Sequence, residues 1–157
     1  MIRCIPKGIF SWNFALEGEG HNASLDFTWL GEQGTITADG TPFDVCKHGI
    51  ASGHWTLNHE GRHVITAQKA SALFRTFEIQ DLHQTLVLRA ESPFGRRFRI
   101  EQTNDIVATI VPDHVLTRRA TIETIAQNCD FTTISFSFWL AVLTWRRAAR
   151  SNSGGSG

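Results

Sequence analysis

Large apolar residues alternate with small or polar ones along most of the chain. Phe10, Trp12, Phe14 and Leu16 are interleaved with Ser11, Asn13 and Ala15, and Ala23, Leu25, Phe27 and Trp29 with Ser24, Asp26 and Thr28. A period of two sends successive side chains to opposite faces, so these segments predict strands with one buried and one wet face. Turn residues punctuate the pattern. Glu17-Gly18-Glu19-Gly20 turns the chain between the first two segments. Asp39-Gly40 separates 35–38 from 42–47, Glu60-Gly61 separates 54–58 from 63–67, and Asn104-Asp105 separates 96–102 from 106–111. Asp-Gly accepts the positive φ angles of a two-residue hairpin. With 74–79, 85–90 and 119–125 the count reaches about eleven or twelve short strands, at the spacing of an antiparallel barrel or sandwich. No long amphipathic helix separates them, which argues against a parallel α/β sheet.

The period changes after Asn128-Cys129-Asp130. Residues 131–145, FTTISFSFWLAVLTW, contain no charge, and Arg146, Arg147 and Arg150 follow. Asp130 or Asn128 suits a helix N-cap, and cations suit a helix C-terminus. Phe131, Ile134, Phe138, Val142 and Trp145 form one stripe, and Phe136, Trp139, Leu140 and Leu143 fill much of the remaining surface. A helix apolar nearly all round requires enclosure by protein or lipid. The uncharged stretch would span roughly 22 Å at 1.5 Å per residue, short of the roughly 30 Å bilayer core. Five hydroxyl residues dilute it further. Burial within the protein is therefore expected, with insertion in lipid as the alternative.

Composition narrows the function classes. The formal net charge is zero, so general attraction to nucleic acid is not expected. The three cysteines, Cys4, Cys46 and Cys129, are odd in number and far apart, which fits a reducing compartment better than a disulfide framework. Residues 1–10 lack the apolar core of a signal peptide. A single domain over 1–150 is expected, its helix at about 131–149, followed by a flexible Ser/Gly tail at 151–157.

Catalytic signatures are missing. There is no G-x-S-x-G elbow and neither glycine-rich nucleotide motif. Asp113-His114 follows Pro112 and reads as a loop, so no catalytic residue is assigned and no enzyme activity is expected. Cys46, His48, His54 and His63 are weak metal candidates: Cys46 and His48 share a strand face, and hairpin pairing would bring His54 near His63. Their spacing matches no zinc pattern, so no metal or other cofactor is expected. Arg97, Arg99, Arg118 and Arg119 are candidate anion-binding residues, because alternation turns Arg97 and Arg99 away from the core-facing Phe98 and Ile100. Arg146, Arg147 and Arg150 would join them, and Glu101 and Asp105 are the acids best placed to neutralise the patch.

A run of hairpins ending in a hydrophobic helix too short to span a bilayer resembles the tubby C-terminal-like superfamily, which includes the LURP-one-related proteins and the phospholipid scramblases. The detailed likeness lies in 34–79, GTITADGTPFDVCKHGIASGHWTLNHEGRHVITAQKASALFRTFEI, where a W-x-L…G run precedes an alanine-containing strand. The likeness of pattern covers most of 10–150. The resemblance implies a mainly β fold, a closed antiparallel barrel of about twelve strands around one buried C-terminal helix. It also implies lipid or protein binding as the function class. The phosphoinositide pocket of tubby proteins has no residue-by-residue match here. The acidic calcium segment of scramblases corresponds to 121–130, which holds only Glu123 and Asp130. The expectation is a non-enzymatic binding or scaffold module, cytoplasmic and peripheral to membranes, meeting an anionic membrane surface or a protein partner. A membrane-tethered scramblase-like protein and a small metal-assisted hydrolase are the alternatives. Oligomeric state is left open.

Overall fold

Each strand pairs antiparallel with its neighbours in sequence, and the first closes on the last, giving a barrel without exposed edges. The computed structural model describes residues 1–71 and 73–155. In chain order the strands are β1 (Ile2–Pro6), β2 (Phe14–Gly18), β3 (His21–Phe27), β4 (Gly34–Ala38), β5 (Thr41–His48) and β6 (His54–His59). They continue as β7 (Arg62–Lys69), β8 (Thr76–Gln80), β9 (Thr85–Ala90), β10 (Phe98–Gln102), β11 (Asp105–Pro112) and β12 (Ala120–Thr124), followed by helix α1 (Phe131–Ser153). Closure runs through the pairs Ile2 with Ile122 and Cys4 with Ala120.

The inward positions predicted by alternation are the core. Phe14, Leu16, Leu25, Ile36, Leu57, Ile79, Leu88, Phe98, Ile100 and Ile122 are all buried, and so are Phe136 to Leu143 around the whole circumference of α1. The helix thus fills the barrel. Phe138 meets Phe14 and Trp145 edge to face at 5.1 and 5.7 Å, and Trp139 stacks on Phe27 at 3.6 Å. Each such enclosed side chain contributes about 1.5–3 kcal/mol. Buried hydroxyls are satisfied within the helix, Ser135 and Ser137 donating to the carbonyls of Phe131 and Thr133, each at 2.8 Å. Asp130 caps the N-terminus, accepting from the Thr133 amide at 3.0 Å. Among the described residues no helix is long and apolar enough to cross a membrane.

Several boundaries differ from those expected. β1 escapes the pattern because a two-apolar alternation, Ile2 and Cys4 around Arg3, is too short to stand out. The tight turn before β11 is Thr103-Asn104, both at positive φ, rather than Asn104-Asp105. Phe10, Trp29 and Phe74 lie outside β2, β3 and β8 and are exposed, while Trp12 packs only in part against the core. The helix continues past 149 to Ser153, taking Ser151–Ser153 from the expected tail. The Ser151 and Ser153 hydroxyls donate to the carbonyls of Ala148 and Arg150 and so extend the last turn. Residues 156 and 157 lie outside the described residues.

The two ends of the barrel are unlike. At one end the hairpins close through Glu19-Gly20, Asp39-Gly40, Glu60-Gly61 and Thr103-Asn104, all at positive φ, and through the short turn 81–84. The helix enters at this end. At the other end the strands are joined by six loops of five to seven residues, 7–13, 28–33, 49–53, 70–75, 91–97 and 113–119, and the helix C-terminus emerges among them.

Candidate functional site

The loop end carries most of the exposed large apolar side chains among the described residues. Among the described residues fourteen large hydrophobic side chains are exposed, and ten of them sit on these six loops: Ile9, Phe10, Trp29, Leu30, Ile50, Leu73, Phe74, Phe94, Val115 and Leu116. Every loop contributes at least one. Phe94 and Ile50 are 97% and 98% exposed, so they support no core and stand free at the tips. The loops form for local reasons: Ser92 Oγ accepts from the Gly95 amide at 2.8 Å, and the Ser71 and Ser11 hydroxyls accept from amides two residues on.

The same end is basic. Lys7, Arg75, Arg96, Arg97, Arg118 and Arg119 on the loops, with Arg146, Arg147 and Arg150 on the helix, outnumber the acids of the same segments, Glu32, Glu91 and Asp113, and Lys7 pairs with Asp26 at the end of β3. Nine bases against three acids leave the loops and helix end at +6 in a chain whose total charge is zero, and therefore −6 over the rest.

That charge persists because four arginines donate to carbonyls instead of carboxylates. Arg75 donates to the carbonyls of Pro93 and Gly95, at 3.3 and 2.5 Å, tying loop 70–75 to loop 91–97. Arg96 donates to Thr117 and His114 at 2.7 and 2.6 Å, reaching loop 113–119. Arg118 donates to Ser11 at 2.6 Å and lies over the Trp12 ring at 4.3 Å. Arg146 reaches from the helix to Gly31 and Trp29 at 2.7 and 2.9 Å and lies over Phe27. Burial pulls the pKa of all four below the ordinary arginine value, yet guanidinium stays charged in proteins. The loops are ordered by hydrogen bonds, and the positive charge is left without a matching acid.

Glu32 matches two bases at once. It accepts both forks of Arg147, at 2.6 and 2.8 Å, and pairs with Lys47 at 2.6 Å. Burial would raise its pKa, but the hydrogen bonds from Arg147 and Lys47 outweigh that and hold the carboxyl below the usual range.

The residues singled out from sequence are dispersed. Arg97 pairs with Glu91 at 3.7 Å, and Arg99 with Glu101 at 2.5 Å, where Arg89 also reaches Glu101 at 3.5 Å. Arg118 turns to Ser11 and Trp12, and Arg119 is exposed beside it. Asp105 lies away from the patch, at the tight-turn end of β11. His48 stands opposite His54 in register, with its ring 5.0 Å from His54 and 5.8 Å from His63. His48 shares a hydrogen bond with Thr56, His63 one with Asn58, and Asn58 donates to Cys46 at 3.3 Å. These polar ladders occupy ring nitrogens. Among the described residues no group of three or more His, Cys, Asp or Glu is placed to hold a metal ion. Asp113 accepts from Thr121 and His114 from the Leu116 amide, so the pair serves separate partners.

Sequence reasoning missed Arg75 and the apolar tips. Their signal was apolar residues flanked by turn formers, as in Gly8-Ile9-Phe10-Ser11, Gly49-Ile50-Ala51-Ser52-Gly53 and Ser92-Pro93-Phe94-Gly95. Comparison with protein-family models, with curated proteins and with solved structures finds no match.

Proposed function

We propose that the chain is a non-enzymatic binding module that docks its loop end on an anionic membrane surface. The observation that carries this reading is the coincidence, on one end of the barrel, of ten exposed large apolar side chains and a net charge of +6 over the loops and helix end. Loop-tip side chains lose water on entering the headgroup region, at roughly 25 cal/mol per Å² of apolar area. Each basic group near an anionic leaflet adds about 1 kcal/mol. The two terms suit a lipid surface better than a protein groove, because the tips ring the barrel instead of forming one stripe. Three free cysteines support a cytoplasmic setting. The enclosed C-terminal helix supports the resemblance to the tubby C-terminal-like superfamily and peripheral rather than helix-inserted attachment, since insertion of α1 would empty the barrel.

Co-sedimentation with vesicles of phosphatidylcholine, alone or with about a third phosphatidylserine, tests this. Binding is expected only with phosphatidylserine, weakening as salt rises, and lost in the triple variant Ile50→Ser, Phe94→Ser, Leu116→Ser. No binding at low salt, or binding untouched by the triple variant, would refute the docking mode and favour a protein partner.

A further inference from the structure

We propose that a cavity on this end, between loops 7–13 and 28–33, is a site for a phosphate monoester borne on an apolar chain or ring. The cavity measures about 470 Å³, within the size range of sites that take small organic ligands. Its walls are aromatic: Phe10 and Trp12 from one loop, Phe27 and Trp29 from the end of β3 and the next. Its charged lining is Arg146 and Arg150, with no acid.

The charge balance argues for a dianion. Arg146 is buried, its Nη1 and Nη2 donate to neutral carbonyls, and its Nε–H is buried without an acceptor. Arg150 lies one helical turn on, exposed, with no ion pair among the described residues. The nearest acids are engaged elsewhere, Glu32 by Arg147 and Lys47, and Asp26 by Lys7 at 2.6 Å. Two guanidinium charges therefore line a cavity whose own walls hold no acid, and Glu32, the carboxylate that also acts on Arg146, is already shared between Arg147 and Lys47. The α1 C-terminus directs its dipole's negative end here, which offsets part of one charge and leaves an excess.

Arginine forks match phosphate oxygens geometrically. The aromatic walls supply the second half of the recognition. Trp12 is already backed by Arg118 on one face and Phe27 by Trp139, so these two rings are held in place. Phe10 and Trp29 are 88% and 90% exposed, leaving ring surface for an apolar substituent. The source of such a monoester is a soluble aryl or alkyl phosphate or a lipid of the phosphatidic acid type.

The site stands on shape and charge without reference to vesicles, so it is tested with monomeric ligands. Isothermal titration of the full chain with phenyl phosphate, monomeric dihexanoyl phosphatidic acid, dihexanoyl phosphatidylcholine and inorganic phosphate separates the possibilities. One-to-one binding of a monoester, at least about tenfold tighter than inorganic phosphate and absent for the choline lipid, is expected. Preference for phenyl phosphate points to a soluble source, and preference for the phosphatidic acid to a lipid one. Arg150→Gln should weaken monoester binding about tenfold or more, and Phe10→Ala should erase the advantage over inorganic phosphate. Both residues are exposed, so an unchanged melting curve accompanies both. Absence of monoester binding, equal binding of inorganic phosphate, or affinity retained in Arg150→Gln would overturn the assignment. Since the docking test alters Ile50, Phe94 and Leu116, none of which lines this cavity, either result can fail alone.

Discussion

Arg146 Nη2 donates to the carbonyl of Trp29 at 2.9 Å, joining the buried helix to the loop that carries this 90% exposed indole. The same guanidinium holds Gly31. The helix that fills the core therefore also sets the height and angle of one apolar tip.

Replacement of Arg146 by Gln removes this charged donor pair and leaves two carbonyls short of partners. Hydrogen bonds to charged groups are worth about 1.5–3 kcal/mol each, with some relaxation. A net loss of about 2–3 kcal/mol is expected, read as a lower urea midpoint, with faster amide exchange concentrated in 28–33.

Gly34 leaves room for the helix against β4. A methyl there would overlap the Asp26 carbonyl and stand 2.6 Å from Trp139 Cη2. Neither neighbour can retreat, since Trp139 is pinned by Phe27. Gly34→Ala should cost about 1–3 kcal/mol, measured by thermal melting, and Trp139→Phe in the same chain should recover part of it.

Glu32 makes the loop end sensitive to acid. Its folded pKa lies below the ordinary 4.5, because hydrogen bonds from Arg147 and Lys47 exceed the effect of burial. A depressed carboxylate stabilises the fold fully above the unfolded value, and that contribution is lost as pH falls through the folded value. Urea midpoints of Glu32→Gln should therefore lie below the parent's at pH 7 and converge with them as pH drops below about 4.

The cysteines should be unequal toward alkylation. Burial, then the charges of Asp130 and Asp81, raise the Cys129 thiol to about 11, and burial raises Cys4 well above its ordinary value. Thiolate is the reactive form. Native protein treated with iodoacetamide at pH 7.5 should gain no more than one adduct by intact mass, at Cys46, and three after unfolding.

Strand count, antiparallel order, the Asp39-Gly40 and Glu60-Gly61 hairpins and the enclosed helix were legible because each follows from local chemistry: a period of two, a positive φ, an uncharged run. How the outward arginines are matched was legible only in part. Glu101, two residues along the same strand, was expected to neutralise the patch and pairs with Arg99, but the pairing of Glu91 with Arg97 within loop 91–97 was not foreseen. Nor does alternation tell a core aromatic from a loop tip. Phe10 and Phe14 stand in the same phase, yet Phe14 is buried and Phe10 is 88% exposed, because the chain leaves the sheet between them.

The amino-acid pattern by itself determined which faces are buried and that a helix must be enclosed, since burial of apolar surface is dictated by residue type and period. Only the tertiary structure decided the polarity of the molecule. Closure of an even-stranded antiparallel barrel sends alternate loops to opposite ends, so six segments separated by about twenty residues meet as one apolar and basic rim. Which arginines keep their charge unmatched there depends on which carbonyls the neighbouring loops present, a relation across space that residue order does not contain.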